Sequence, residues 1–341
     1  MHNEHLLPAL YAGPARWAEM RWRGQRESQN VEDRRGQGGG GFRFPGGGMR
    51  FPSGGGGGRG GGIGIVGFLI ILGLMLFFGL DPSTIMQPGP QGDGTSFPDI
   101  RLPPQSQPDV NPRSAPDKPL SRPESASEDD LKRFVSVVLG NTEDVWTEVL
   151  GSHGRRYRDP TLVLFTGAVR SACGTGMAAM GPFYCPADEK VYIDLSFYEE
   201  LRSRFRAPGD FAQAYVIAHE IGHHVQHLLG IAKQVEAARQ NVSERQGNAL
   251  QVRMELQADC LAGVWANRAG ERDDIIEEGD IDEALGAASA IGDDRIQRRT
   301  QGYVVPDSFT HGSSEQRVRW FRRGYDSGDL NDCDTFNAES L

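Results

Sequence analysis

The sequence predicts a helix-rich α+β domain, preceded by one transmembrane helix. Three observations lead there. From Ser127 onward the hydrophobic pattern runs helices, a few strands, then mostly helices. An uncharged run of eighteen residues stands at 63–80. Most of the 45 glycines and 20 prolines of the 341-residue chain are crowded ahead of the domain, so the foldable part is roughly the last two-thirds.

Residues 1–62 read as a basic Gly/Arg-rich tail, with nine arginines, no lysine and five acids. Within it, Gly38–Gly62 is low-complexity and reads as a tether. Met20 precedes a dense basic-polar stretch, MRWRGQRESQNVEDRRG, while residues 1–19 show no pattern, so Met20 is a candidate for the true start. Ile63–Leu80, IGIVGFLIILGLMLFFGL, sits at the short end of the roughly 17–25 residues that span a bilayer. Asp81-Pro82 follows it instead of a small-x-small cleavage site. The arginines ahead of the run predict a cytoplasmic amino terminus in the inner membrane and an extracytoplasmic C-terminal domain. Residues 81–126 hold eleven prolines without apolar periodicity and read as an extended linker.

The domain is then 127–341. Ser127 with three following acids predicts a helix start, and Leu131, Phe134, Val135, Val138 and Leu139 give its buried stripe. A separate short helix is predicted from Asn141 or Thr142. Thr161–Val169 and Lys190–Leu195 read as strands, with a glycine-rich loop between them. Asp210 is predicted to cap a helix over Phe211–Leu229. A long helix covers Gly247–Gly270, its small residues suited to close packing, and helical segments fill 282–300 and 314–325.

The net charge is −10, and the part beyond residue 62 carries all of the acidity. A negative domain is a poor partner for phosphates, so no nucleic-acid binding is expected. The even set Cys173, Cys185, Cys260 and Cys333 in a domain placed outside the cytoplasm fits two disulfides. Three pairings exist, and the favoured one is Cys173–Cys185 with Cys260–Cys333. A zinc cluster is the alternative, and the absence of any C-x-x-C pair speaks against it.

His219-Glu220-Ile221-Gly222-His223 matches H-E-x-x-H on a helix. A four-residue step turns about 40°, so both imidazoles share a face and reach one Zn²⁺. Glu220 beside them is placed to take a proton from water. His224 points to another face, and His227 lies about 12 Å along the axis from His219, so both read as surface or packing residues. Gln226 and Leu229 exclude the metzincin extension. A catalytic zinc needs a third protein ligand. Glu255 and Asp259 share a helix face at i,i+4, which fits Glu255 as that ligand and Asp259 as the acceptor that orients a ligand imidazole. His311, at a turn before a helix, and Arg317 are candidate donors to an oxyanion, His311 the better one.

RWRGQRESQNVEDRRG, the apolar span, AHEIGHHVQ, ELQADC and HGSSEQR together resemble the bacterial neutral zinc metallopeptidase family. The order H-E-x-x-H then E-x-x-x-D is also similar to the gluzincins. The resemblance implies a zincin-like fold, an active-site helix beneath a small sheet supplied by Thr161–Val169 and Lys190–Leu195, with peptide bound at the sheet's edge. It implies one zinc per chain on His219, His223 and Glu255, Glu220 as general base, Asp259 orienting a ligand and His311 stabilising the reaction. The expected activity is hydrolysis of peptide bonds in a peptide or protein substrate by a membrane-anchored enzyme. The alternative is an inactive membrane-tethered zinc-binding or protein-interaction module. No oligomeric state follows from the sequence.

Overall fold

The computed structural model describes residues 20–36 and 127–341, and residues 20–36 and 128–341 belong to one compact unit. The predicted span 63–80, the linker 81–126 and the rest of the tail lie outside the described residues. Among the described residues no helix is long and apolar enough to cross a membrane.

The architecture is helix-rich α+β. A short strand β1 (Val31–Asp33) is followed by helix α1 (Glu128–Ser152), then strand β2 (Thr161–Phe165). A hairpin of β3 (Ala168–Ser171) and β4 (Gly174–Met177) comes next, followed by β5 (Phe183–Cys185) and β6 (Lys190–Asp194). The rest is helical: α2 (Ser196–Ser203), α3 (Asp210–Leu228), α4 (Ile231–Arg239), α5 (Glu244–Asp273), α6 (Asp280–Ala290), α7 (Asp293–Gln301) and α8 (Ser314–Ser327). The main sheet has the order β1-β2-β6-β5, with β1, β2 and β6 parallel and β5 antiparallel at one edge. Leu162, Leu164, Val191 and Ile193 join the main core with α1, α3 and α5, while Val163, Phe165 and Tyr192 pack with Cys185 in a second cluster. Alternation along β2 and β6 thus serves two apolar clusters, which is why these strands read as nearly continuous hydrophobic runs.

Several predicted boundaries change. Residues 20–36 are not tail: β1 pairs with β2 in register from Val31 against Leu162, and Met20 and Trp22 are buried in the core. Two of the arginines read as orientation signals have structural partners, since Arg34 pairs with Glu32 and Arg35 with Asp33 and Glu128, and Arg26 bonds Glu143 and Asp144 on α1. Residues 20–36 therefore belong to the folded domain and share its sheet. The helix predicted to restart at Asn141 is continuous with α1. Asn141 spends its side chain on tertiary bonds instead of a cap, donating to Asp273 and accepting from Trp265 Nε1. The strand predicted over Thr161–Val169 breaks at Thr166-Gly167, where the Gly167 amide turns to Asp194. Asp210 is the first residue of α3, and the N-cap position falls to Gly209. α5 starts earlier than predicted because Ser243 and Gln246 form a capping box. The segment 282–300 is two helices meeting near Ile291-Gly292. The small residues of α5 do pack as expected, for a Cβ on Gly263 would strike the Phe321 carbonyl of α8, and one on Gly324 would strike that of Cys260.

Removing residues 20–36 should therefore unfold or severely loosen the domain. Burial of Met20 and Trp22 alone is worth roughly 3–6 kcal/mol. Denaturant melts of 127–341 with and without a synthetic 20–36 peptide check this, and the peptide should raise the midpoint.

Candidate metal centre

α3 and α5 cross at Gly222, where an added Cβ would lie 2.9 Å from the Ala258 carbonyl. This contact brings two histidines of one helix against a carboxylate of the other. His219 Nε2 stands 3.2 Å and His223 Nε2 3.5 Å from the same Glu255 oxygen. The two rings are edge to face, 4.8 Å apart. One donor atom from each of His219, His223 and Glu255 falls within 4.8 Å of the other two, a spacing that can close on a single ion.

The outer nitrogens fix which atoms face inward. His219 Nδ1 donates to Asp259 Oδ1 at 2.8 Å. His223 Nδ1 donates to Gln226 Oε1 at 2.8 Å, and the Gln226 amide is oriented because its Nε2 donates to the Met254 carbonyl and to Gln257. Both Nε2 atoms are left as acceptors for a cation, and Glu255 receives Gln251 on its other oxygen at 2.8 Å. A set of two imidazoles and one carboxylate, each held from behind, fits a zinc ion with room for a further ligand.

The surrounding acids favour cationic imidazoles, so a metal ion would take the places of the Nε2 protons. Burial opposes charge on His223, but Glu255 outweighs it and holds the imidazole up at about 9. Burial likewise works against His219, and Asp259 overcomes it, raising that pKa too. Burial would raise the Glu255 carboxyl, but the charge of His223 and its bonds to both histidines hold it well below the usual range. Asp259, buried yet opposite Arg317 and His219, is depressed to about 2.

Asp259 does more than the predicted orientation of one ring. It also accepts from Tyr215 at 2.6 Å and from two nitrogens of Arg317 at 2.8 and 2.9 Å. Arg317 is itself buried, so it belongs to the frame and is not an available oxyanion donor. Glu220 is buried on α3 between the two histidines. His311 sits at the predicted turn and is half exposed, with Nδ1 3.2 Å from Asp293. Asp293 also accepts the Thr310, His311 and Gly312 amides, so it shapes the whole turn. Its charge raises the His311 pKa against the desolvation that lowers it.

Gln226 and Asp293 were not singled out in the sequence as working residues. Gln226 follows His223 by three positions, the spacing at which helical side chains meet, so that partnership had a signal. Asp293 had none, because its partners lie eighteen positions away. His224 packs as expected, donating through Nε2 to the Arg158 carbonyl and accepting Tyr184 on Nδ1. His227 pairs with Glu189. The favoured disulfides are present, Cys173–Cys185 tying the β3–β4 turn to β5 and Cys260–Cys333 tying α5 to the C-terminal segment.

The sequence profile of the family described as "Putative neutral zinc metallopeptidase" matches residues 20–336. The chain belongs to the neutral zinc metallopeptidase family. Protein YpfJ of Escherichia coli (strain K12) is 47% identical over 323 residues, covering 93% of this chain and 99% of that one. Protein Rv2575 of Mycobacterium tuberculosis (strain ATCC 25618 / H37Rv) is 44% identical over 226 residues, 62% of this chain and 74% of its own. No solved structure matches. The profile begins at Met20, in keeping with the place of residues 20–36 inside the domain.

His224 gives a pH test of this helix. Burial pushes its pKa down to about 4, against about 6.5 in the unfolded chain. A depressed histidine contributes stability that is complete above pH 6.5 and is lost as pH falls toward 4. Between pH 6.5 and 4.5 it should account for roughly 2–3 kcal/mol of acid destabilisation. Denaturant melts at those two pH values should show a shallower loss in His224→Gln than in the parent.

Proposed function

We propose that this family member is a zinc-dependent peptidase whose centre is His219, His223 and Glu255. The observation that supports it best is the pair of inward Nε2 acceptors, each with its Nδ1–H committed to a buried partner and both facing one carboxylate. Zinc held there would polarise a peptide carbonyl and make a water acidic enough to attack it near neutral pH. Glu220 takes the proton from that water and returns it to the leaving amine. His311, pinned through Nδ1 and its own amide by Asp293, offers Nε2–H to the oxygen on which negative charge develops. Tyr215 and Arg317 keep Asp259 ionised, which in turn keeps the His219 ring aligned. Substrate is a peptide or protein segment laid along β5, the strand at the sheet edge beside α3. The inner strands β2 and β6 are already paired on both sides, and of the edge strands β1 and β5 it is β5 that packs on α3, so main-chain hydrogen bonding to a peptide beside the centre falls to β5.

Membrane attachment through the apolar run 63–80 is part of the proposal, as an anchor that does not carry residues 20–36 and 127–341 to opposite sides of the bilayer. The extracytoplasmic side is favoured, because two disulfides persist in an oxidising compartment. Impermeant maleimide applied to intact cells should label both Gln29→Cys and Tyr303→Cys. Labelling of one alone would refute a shared side.

Elemental analysis of the full chain, purified without chelator, should give about one zinc. Glu255→Ala should lose it, Glu220→Gln should keep it while peptide hydrolysis drops by at least 10²-fold, and Gln226→Ala should weaken zinc binding roughly 10–100-fold. Zinc retained with no hydrolysis of any peptide library would instead favour a tethered zinc-binding module.

A further inference from the structure

Away from the histidines, the first turns of α3 and α6 gather a second set of acids. One carboxylate oxygen from each of Asp210, Asp280 and Glu283 lies within 4.8 Å of the other two. Acids at helix starts ordinarily answer the free amides and the positive end of the dipole. Glu283 does so in part by accepting the Phe211 amide at 3.2 Å, and Asp280 Oδ2 accepts the Glu277 amide at 2.8 Å. Capping leaves Asp280 half explained. The residue is fully buried, and its Oδ1 has no hydrogen-bond partner. Among the described residues no arginine or lysine stands within ion-pair distance of Asp280 or Glu283. Burial above all holds these carboxyls up, Asp280 at about 6 and Glu283 at about 7. The unpartnered Asp280 Oδ1, buried beside Glu283, calls for a donor carrying positive charge.

The backbone nitrogen of Met20 reaches one member of the cluster, 3.2 Å from Asp210 Oδ1. Chain ends are usually loose unless something ties them down, and position 20 is tied on every side. Its side chain is 1% exposed in the core. The Arg21 amide donates to the Ile275 carbonyl at 2.9 Å, and the Arg21 guanidinium bonds Asp274 and Glu277. The family profile also starts at this residue, and the match to the Escherichia coli relative covers 99% of that chain but 93% of this one.

We propose that Met20 is the amino-terminal residue of the folded protein, and that Asp210, Asp280 and Glu283 form the receptor for its α-ammonium group. An internal amide offers one N–H, whereas an ammonium offers three with a full positive charge. One donor serves Asp210, and the others answer acceptors that an amide leaves unpaired, Asp280 Oδ1 first among them. The receptor lies at the start of α3, two turns before His219, so a captured amino terminus braces the helix that carries the metal ligands. The inference is independent of whether that centre hydrolyses peptides. A hard divalent cation is the competing occupant, since three carboxylates also suit calcium.

The test begins with the intact mass of full-length protein produced from its native upstream sequence, which should correspond to residues 20–341. Melting temperatures are then compared for the chain starting at Met20 and the chain starting at Met1, each in the parent, Asp280→Asn and Glu283→Gln backgrounds. The extension should lower the melting temperature by roughly 3–8 °C in the parent and by much less in Asp280→Asn and Glu283→Gln, since the two changes remove the same interaction. Nα-acetylation of the Met20 chain should reproduce the loss without added residues. The proposal is overturned by a native mass that includes residues 1–19, or by an extension penalty that is absent or equal in all three backgrounds. It is also overturned if calcium chloride raises the melting temperature through Asp280 while the extension has no effect.

Discussion

The site depends on one buried carboxylate. Asp259 is fully enclosed and ionised, and it receives His219, Tyr215 and both ends of the Arg317 fork. A charge in such a place is tolerable only when its oxygens are satisfied and a counter-charge is close. The cation comes from α8, the phenol and imidazole from α3, and the carboxylate from α5. The ion pair therefore fixes three helices relative to one another, and the ligand geometry is a consequence. Losing Arg317 would leave the buried Asp259 charge with only Tyr215 and His219 to answer it, so a residue of α8 bears directly on the alignment of His219.

Close backbone approach makes that network possible. Gly222 lets α3 ride on Ala258, and the facing glycines 263 and 324 let α5 and α8 meet main chain to main chain. Side chains as short as Asp259 can bridge only helices this near. The Cys260–Cys333 disulfide follows Asp259 directly and anchors the same turn of α5 to the segment whose carbonyl at Cys333 receives Gln257. Gln257 in turn receives Gln226, the partner of His223. Each ligand histidine is thus connected through a short relay to a rigid part of the frame.

Much of this was legible beforehand. His219, Glu220 and His223 could be read because four residues make just over one helical turn, so local geometry alone puts the two imidazoles together. Glu255 and Asp259 were readable for the same reason, along with the need for a third ligand. The disulfide pairing was recoverable as the favoured of three. By contrast, Arg317, the lesser of two oxyanion-donor candidates, is a buried partner of Asp259, and Asp293 was missed altogether. Neither role leaves a mark at fixed spacing, since both are created by residues far away in the chain.

The sequence by itself determined the helix-rich class, the face of α3 that carries the histidines, and the set of candidate ligands, because periodicity and short-range spacing are properties of one element at a time. Tertiary structure alone decided that residues 20–36 complete the sheet, that β5 is the edge beside α3, and that Asp259 is answered by Arg317. Composition pointed the other way for the first of these: glycines and arginines around 20–62 read as a tail, while β1 is only three residues long. A three-residue strand has no periodicity to detect, and it exists because β2 offers it a row of unpaired amides and carbonyls.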